Sequence, residues 1–338
     1  MAAEKQTTET GQTLRDGLLP QTSREDVPLW HNRLPRIWSE LASFPTLGDI
    51  AEIHRGVEYK IQLPDREEKL FSEVPHDGWA QGLRSVTSDF EPYIVRPSMY
   101  LNLDPQLMWH EEYMLPWEKP KVIVNGAVVS QNPWRIIGAL DEQGLVCTQN
   151  FRGIWPTDVV PIEVIAALLN GPVANAFLNV NGSSRYNHIP MLQRIPVPQL
   201  DNWEIHEITS LVRNYMATRE RWHSQPEDAK RSKVTGEGII GRIEEEILGY
   251  YRLSMKAERQ LLACFEGSTR PGPFPLAPAE PSPPNRLYPS SMRVEDIRGE
   301  GDEKIVDVEI FACDYDQIFH LPIALFSQEL RDKISQDV

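Results

Sequence analysis

Cysteine is scarce in this chain of 338 residues: Cys147, Cys264 and Cys313 are the whole supply, and no two of them are closely spaced. That excludes a disulfide framework or a paired-cysteine zinc knuckle and fits a reducing compartment. Long hydrophobic runs are missing too. No stretch reaches the ~18 uninterrupted apolar residues of a membrane-spanning helix, and the opening MAAEKQTTETGQTLRDG has no signal-peptide core. The expectation is a cytoplasmic protein with no membrane partner. Positive charge is also short, with 34 Lys and Arg against 49 Asp and Glu and a net charge of −15. Such a balance excludes a protein that simply coats nucleic-acid phosphates, because that affinity comes from Lys and Arg. The deficit is uneven: residues 278–338 hold 13 acidic and 6 basic groups, whereas 45–200 hold 18 and 12.

Signatures of catalysis are equally sparse. No Gly-x-Gly-x-x-Gly follows a predicted strand, and no Walker-type Gly-Lys-Ser, Gly-x-Ser-x-Gly or His-Glu-x-x-His occurs. The eight histidines are scattered singly, so no metal site is expected. Paired acids at Glu67-Glu68, Glu111-Glu112 and Glu244-Glu245-Glu246 read as solvated loops or helix faces rather than acid/base pairs.

What is present is a globular composition, 41% hydrophobic and 25% charged, with 28 prolines that cluster. Residues 1–28 lack period and large apolar groups and are expected to be disordered. LWHNRLPRIWSEL (29–41) has mixed helical spacing. FPTLGDIAEIHRGVEYK reads as a strand entering the turn at Gly56, and YIVRPSMYLNL and KVIVNGAVV read as strands. WRIIGALDEQGLVC reads as two strands, Ile136 to Leu140 and Leu145 to Cys147, about an Asp-Glu-Gln-Gly turn. The period then changes. PIEVIAALLNGPVANAFLNV (161–180) recurs at three- and four-residue steps, with Gly171-Pro172 predicting a kink. Helices follow over 203–223 and 236–253, and Ser254 is placed as the N-cap of a further one. Residues 268–291 form a Pro-rich linker, 304–318 alternate like a strand, and 322–335 read as a short helix.

TLGDIAEIHRGVEYK, KPKVIVNGAVVSQNPWRIIGALDEQGLVCTQNFRGIWP, AALLNGPVANAFL and MLQRIPVPQL, taken as an ordered set, resemble the target recognition domain of restriction–modification systems. That domain forms type I specificity subunits and the carboxyl parts of many adenine-specific DNA methyltransferases. The matching positions are Leu47 to Gly56, Leu168 to Phe177 and Leu192 to Pro198. The resemblance implies an α+β fold: a β-rich recognition domain (29–200) braced by a helix, a helical spacer or docking region (201–267), the Pro-rich linker (268–291) and an acidic extension (292–338). It implies a Leu-Gly-Asp-Ile strand, an Asn181 to His188 loop facing DNA, and a rigid Ile195-Pro196-Val197-Pro198 edge segment leading into the spacer.

The implied function is a DNA sequence-recognition subunit without catalysis of its own. Its partners would be double-stranded DNA, an adenine methyltransferase carrying S-adenosylmethionine, and a restriction or ATPase subunit or a second copy. Arginine can donate to guanine O6 and N7 or to phosphate, and Asn and Gln can grip adenine N6 and N7. Candidate contacts are therefore Arg135, Arg152 and Arg185, then Gln131, Asn132, Trp134, Gln149, Asn150, Ser183, Ser184, Tyr186, Asn187 and Lys60. Two other readings stand beside this one. Asn132-Pro133-Trp134 is similar to the Asn-Pro-Pro-aromatic motif of adenine methyltransferases, though the second Pro is missing, so the chain could be part of a split methyltransferase or nuclease. The net negative middle segment instead suits a protein-interaction adaptor that lost DNA binding. The acidic extension would bind a partner or mimic DNA charge.

Overall fold

The computed structural model describes residues 34–60, 66–129, 133–157, 160–224, 229–268, 270, 292–298, 305–310 and 318–322. The N-terminus at 1–28, most of the Pro-rich linker and most of the helix expected at 322–335 lie outside them. In chain order the elements are α1 (Leu34–Glu40), α2 (Leu47–Ile50), β1 (Ala51–Arg55), α3 (Arg66–Leu70), β2 (Phe71–Ser72), β3 (Trp79–Leu83), β4 (Phe90–Glu91), β5 (Tyr93–Val95), β6 (Met99–Asn102), β7 (Lys121–Asn125), β8 (Gly138–Asp141), β9 (Val146–Cys147) and β10 (Phe151–Pro156). The helices α4 (Ile162–Asn170), α5 (Pro172–Asn181), α6 (Ile189–Leu192), α7 (Asn202–Ser224), α8 (Ala229–Tyr250) and α9 (Met255–Leu262) follow, then β11 (Met292–Arg298), β12 (Ile305–Ile310) and β13 (Ile318–Pro322).

The fold is α+β. A six-stranded sheet in the order β1-β10-β7-β8-β5-β4 is antiparallel except where β5 meets β8. A four-stranded sheet, β2-β6-β3-β9, lies beside it in the chain's β-rich half, and β11-β12-β13 form a third. Alternation along the strands divides the larger sheet's side chains between two cores. Val122, Val124, Leu140 and Ile154 join the helices in one core, while Ile123, Ala139, Phe151 and Trp155 join Leu83, Leu101, Val146 and Cys147 in the other. Burial on both faces explains why β7 reads as an unbroken apolar run.

The helix at 161–180 does brace the sheet. Every residue of α4 is buried, and α4 packs on β5, β7, β8 and β10. Gly171-Pro172 bends the chain by 57° into α5, as the helix-breaking pair predicts. Together the two helices are apolar enough to resemble a broken span, but among the described residues no single helix is long and apolar enough to cross a membrane. The helices beyond residue 200 add Ile208, Leu211, Val212, Tyr215, Ile243 and Ile247 to the same core that holds Leu34, Leu47 and Leu168.

Three expectations are corrected. Leu47-Gly48-Asp49-Ile50 is a helical turn rather than a strand, because Thr46 and Asp49 form a capping box, and the strand begins at Ala51. The backbone N–H and Oγ1 of Thr46 both donate to the Asp49 carboxylate, at 2.7 and 2.8 Å. The hairpin expected over 136–147 does not pair with itself. Its first strand, β8, lies between β7 and β5, and its second, β9, pairs parallel with β3 in the other sheet. Asp141 shapes the connection between them: it is fully buried, ion-paired to Lys121 and accepts the backbone N–H groups of Gln143 at 2.8 Å and Leu145 at 2.9 Å. Lastly, Glu244 and Glu246 are buried and only Glu245 faces solvent, because Arg270 returns from beyond α9 to pair with Glu244. The run Gly236-Glu-Gly-Ile-Ile-Gly241 spells a nucleotide-loop spacing but lies inside α8 with no strand before it.

Candidate nucleic-acid interface

One end of the larger sheet collects the carboxyl end of β1, the start of β10, the turn after β7 and the 181–188 loop. Arg55 and Arg152 are paired directly across β1 and β10. Like charges opposite each other on a sheet are destabilising, and Glu58 offsets only the Arg55 side of this pair. Arg55 donates to Gln149 Oε1 at 2.7 Å and pairs with Glu58 at 2.8 Å. Arg152 instead donates to the carbonyls of Gln149 and Phe151, both at 2.7 Å. The Nε groups of both arginines are buried without a hydrogen-bond partner. Burial first, and the Arg55 charge after it, pulls the Arg152 pKa below its ordinary value.

Two glycines make this edge possible. A Cβ on Gly126 would lie 2.8 Å from Arg152 Nη1 and 2.8 Å from the Asn150 carbonyl. A Cβ on Gly56 would meet the Thr148 carbonyl at 2.1 Å, so only glycine lets the β1 end close against residues 147–148. The 181–188 loop is stitched to the turn after β7. Val128 N–H donates to Arg185 O at 3.0 Å, Asn187 N–H donates to Gly126 O at 2.8 Å, and Ala127 and Tyr186 form an isolated bridge. Gly126 N–H in turn donates to Asn150 O at 2.6 Å. Asn150 Nδ2 and Thr148 Oγ1 both donate to the Arg84 carbonyl, which brings Arg84 to the same edge. Beside it a cleft of about 170 Å³ is lined by Tyr59, Glu67, Phe71, Arg84, Gln149 and Asn150.

The structure thus brings Gln149, Asn150, Arg152, Ser183, Ser184, Arg185 and Tyr186 to one rim. Asn150, Ser184, Arg185 and Tyr186 are exposed, while Gln149, Arg152 and Ser183 are half-buried. Lys60 is half-buried and donates to the Gln106 carbonyl at 2.7 Å. Gln131 and Asn132 lie outside the described residues. Three other candidates turn inward and are corrected to structural roles. Arg135 donates to the carbonyls of Leu178 and Ser183, a buried cation satisfying the carboxyl end of α5. Trp134 is buried against Phe265, 4.3 Å between ring centroids, with the Arg270 guanidinium 4.5 Å from its ring. Asn187 is buried, its amide donating to Asn125 O at 3.2 Å. These polar types suit a DNA contact as well as they suit satisfying an irregular buried backbone, and here the second role prevails.

Among the described residues the segment 133–137 lies in no strand and has one backbone bond, Val129 N–H to Arg135 O at 3.3 Å, so side chains supply most of its hydrogen bonds. Asn175 Oδ1 accepts from Arg135 N at 2.8 Å and Ile136 N at 3.1 Å, and Asn125 Oδ1 accepts from Ile137 N at 2.7 Å. Arg55 and Arg84 are rim residues that sequence reasoning passed over. A signal existed for Arg55, which ends the alternating Ala51-x-Ile53-x-Arg55; none existed for Arg84. Among the described residues no cluster of His, Cys, Asp or Glu could hold a metal ion.

No protein-family model matches this chain, and no curated protein matches it by sequence. Solved structures do. The type IIL restriction-modification enzyme MmeI, solved in complex with DNA, is 11% identical over 66% of this chain and 36% of that one, with a TM-score of 0.43. The HsdS subunit from Thermoanaerobacter tengcongensis is 11% identical over 70% and 52%, with a TM-score of 0.33. The type IIG restriction endonuclease BpuSI is 12% identical over 64% and 33%, with a TM-score of 0.37. This chain spans about a third to a half of the chains it matches. Its structural neighbours are therefore restriction–modification proteins at low identity and with partial superposition.

Proposed function

We propose that this chain is the DNA sequence-recognition subunit of a restriction–modification or related defence system and directs a separate adenine methyltransferase, nuclease or both to its site. The rim carries the reading: Arg55 opposes Arg152 beside Gln149, Asn150, Arg84 and Arg185 on one edge. Phosphate suits Arg152, the member of the pair with no carboxylate within ion-pair distance among the described residues, and neighbouring amides are the groups that read base edges. The net charge of −15 is compatible with this role because binding depends on the local field at the rim. In this reading Arg152, Arg185 and Arg84 hold the backbone, and Gln149 and Asn150 read bases. The exposed faces of α7 and α8 dock the catalytic partner, which carries S-adenosylmethionine, and the protein works in the cytoplasm.

The test is selection from a randomised duplex pool using the protein isolated from its native host with whatever copurifies. The expected outcome is enrichment of one short motif together with a methyltransferase-sized partner. A copurifying partner without motif enrichment would instead favour an adaptor that has lost DNA binding.

A further inference from the structure

Among the described residues six large apolar side chains stand exposed, and three of them are aromatic: Trp109, Tyr186 and Trp203. Two of the three flank the arginine rim. Trp109 is 53% exposed, yet its backbone is fixed, with its N–H donating to Glu58 O at 2.9 Å. The residues around it are tied down in the same way: Tyr59 bridges Met108, Lys60 N–H donates to Leu107 O at 2.9 Å, and Lys60 Nζ donates to Gln106 O. Glu58 is in turn the carboxylate that pairs with Arg55. Trp109 is therefore an anchored aromatic next to the β1 end of the rim, while Tyr186, 50% exposed, bridges Ala127 at the β7 end.

Resting on the DNA-recognition reading, we propose that Trp109 is a base-stacking residue: it inserts beside a base step of the bound duplex and partly unstacks it, with the arginines holding the flanking phosphates. An indole has only two side-chain torsions to fix on inserting, and every base offers it a π-face. Pyrimidine–purine steps, which unstack most easily, are the preferred place. Trp109 would then select sequence through deformability, whereas the amides select by hydrogen bonding.

The experiment uses the full chain with its copurifying partner and duplexes carrying the enriched motif, with 2-aminopurine placed at successive positions. The parent protein should raise the fluorescence at one step. Trp109→Ala should abolish that rise and bind roughly tenfold more weakly, with an unchanged salt slope because no charge is lost, and Trp109→Phe should restore part of both. Thermal melting of the variants should match the parent, since the side chain is exposed. A parent that binds while Trp109→Ala keeps the same affinity and fluorescence overturns base stacking alone. A parent that binds no duplex overturns the DNA reading and this inference together.

Discussion

Arginines in the helical half and arginines at the rim live in different electrostatic worlds. Across α7, α8 and the chain beyond α9, four arginines have close carboxylate partners: Arg213 bonds Glu142 and Glu163, Arg219 meets Glu91 at 3.0 Å, Arg242 meets Glu207, and Arg270 meets Glu244, while Arg221 bonds Ala217 O and Thr218 Oγ1. At the rim Arg55 and Arg84 have carboxylate partners, but among the described residues Arg152 and Arg185 have none within ion-pair distance. A chain with 15 excess negative charges thus uses carboxylates to hold its helices together and leaves two of the four rim arginines, Arg152 and Arg185, without one among the described residues. Net charge describes solubility and long-range approach, whereas the pairing pattern separates structural cations from those free to meet an anion.

The most disruptive way to break this comparison is Arg270→Ala. It leaves Glu244 buried and unpaired, removes the stack on Trp134, and should cost about 3–5 kcal/mol in urea unfolding. Burial raises the Glu244 carboxyl above the usual range, and Arg270 partly offsets that. A folded pKa above the unfolded one gives stability that is full below the unfolded value and is lost as pH rises through the folded value. Without Arg270 the rise is larger, so the variant should lose more stability than the parent as pH rises above the ordinary carboxylate value. Asn175→Ala comes next. It strands the buried N–H groups of Arg135 and Ile136, with an expected loss of roughly 2 kcal/mol in the same measurement.

Rim variants should behave in the opposite manner. Arg185→Ala should leave unfolding within about 0.5 kcal/mol of the parent, as is usual at the surface. It should also weaken DNA binding evenly across sequences and lower the salt slope by about 1, as losing one phosphate contact does. Gel-shift titrations over a salt series check this, and an unchanged slope would remove Arg185 from the rim's working set.

How much of this was legible in sequence depends on whether the signal was local. The α4–α5 helix, its break at Gly171-Pro172 and the Ser254 cap are written within a few residues, and all three are present. The gathering of Gln149, Asn150 and Arg152 with the 181–188 loop depends on how β7 and β10 pair, yet the loop's polar composition already marked it. Arg135, Trp134 and Asn187 could not be told from surface residues. Arg135 and Asn187 are held inward by bonds with Asn125 and Asn175, 10 to 62 positions away, and Trp134 by Phe265 and Arg270, more than 130 positions on. The helical turn at 47–50 was legible in principle through Thr46-x-x-Asp49, but the apolar Ile50 and Ile53 masked it with a strand-like pattern.

The smallest perturbation asks whether the two regions are coupled at all. Ser254 Oγ accepts the Ala257 N–H at 3.1 Å and starts α9, the helix after which the chain returns to Arg270. Ser254→Ala should cost about 1 kcal/mol, the usual value of a lost N-cap. If the helical half serves only as scaffold for the rim, duplex affinity measured far below the melting temperature should be unchanged, because the folded fraction stays near unity after such a loss. A drop in affinity at full folding would mean that the α9 end transmits strain through Phe265 and Trp134 to residues 133–137, and from there through Asn125 to the turn after β7 that packs against Arg152. The contacts along that route are continuous, so the cap variant is the mildest means of finding out whether continuity of packing here amounts to energetic coupling.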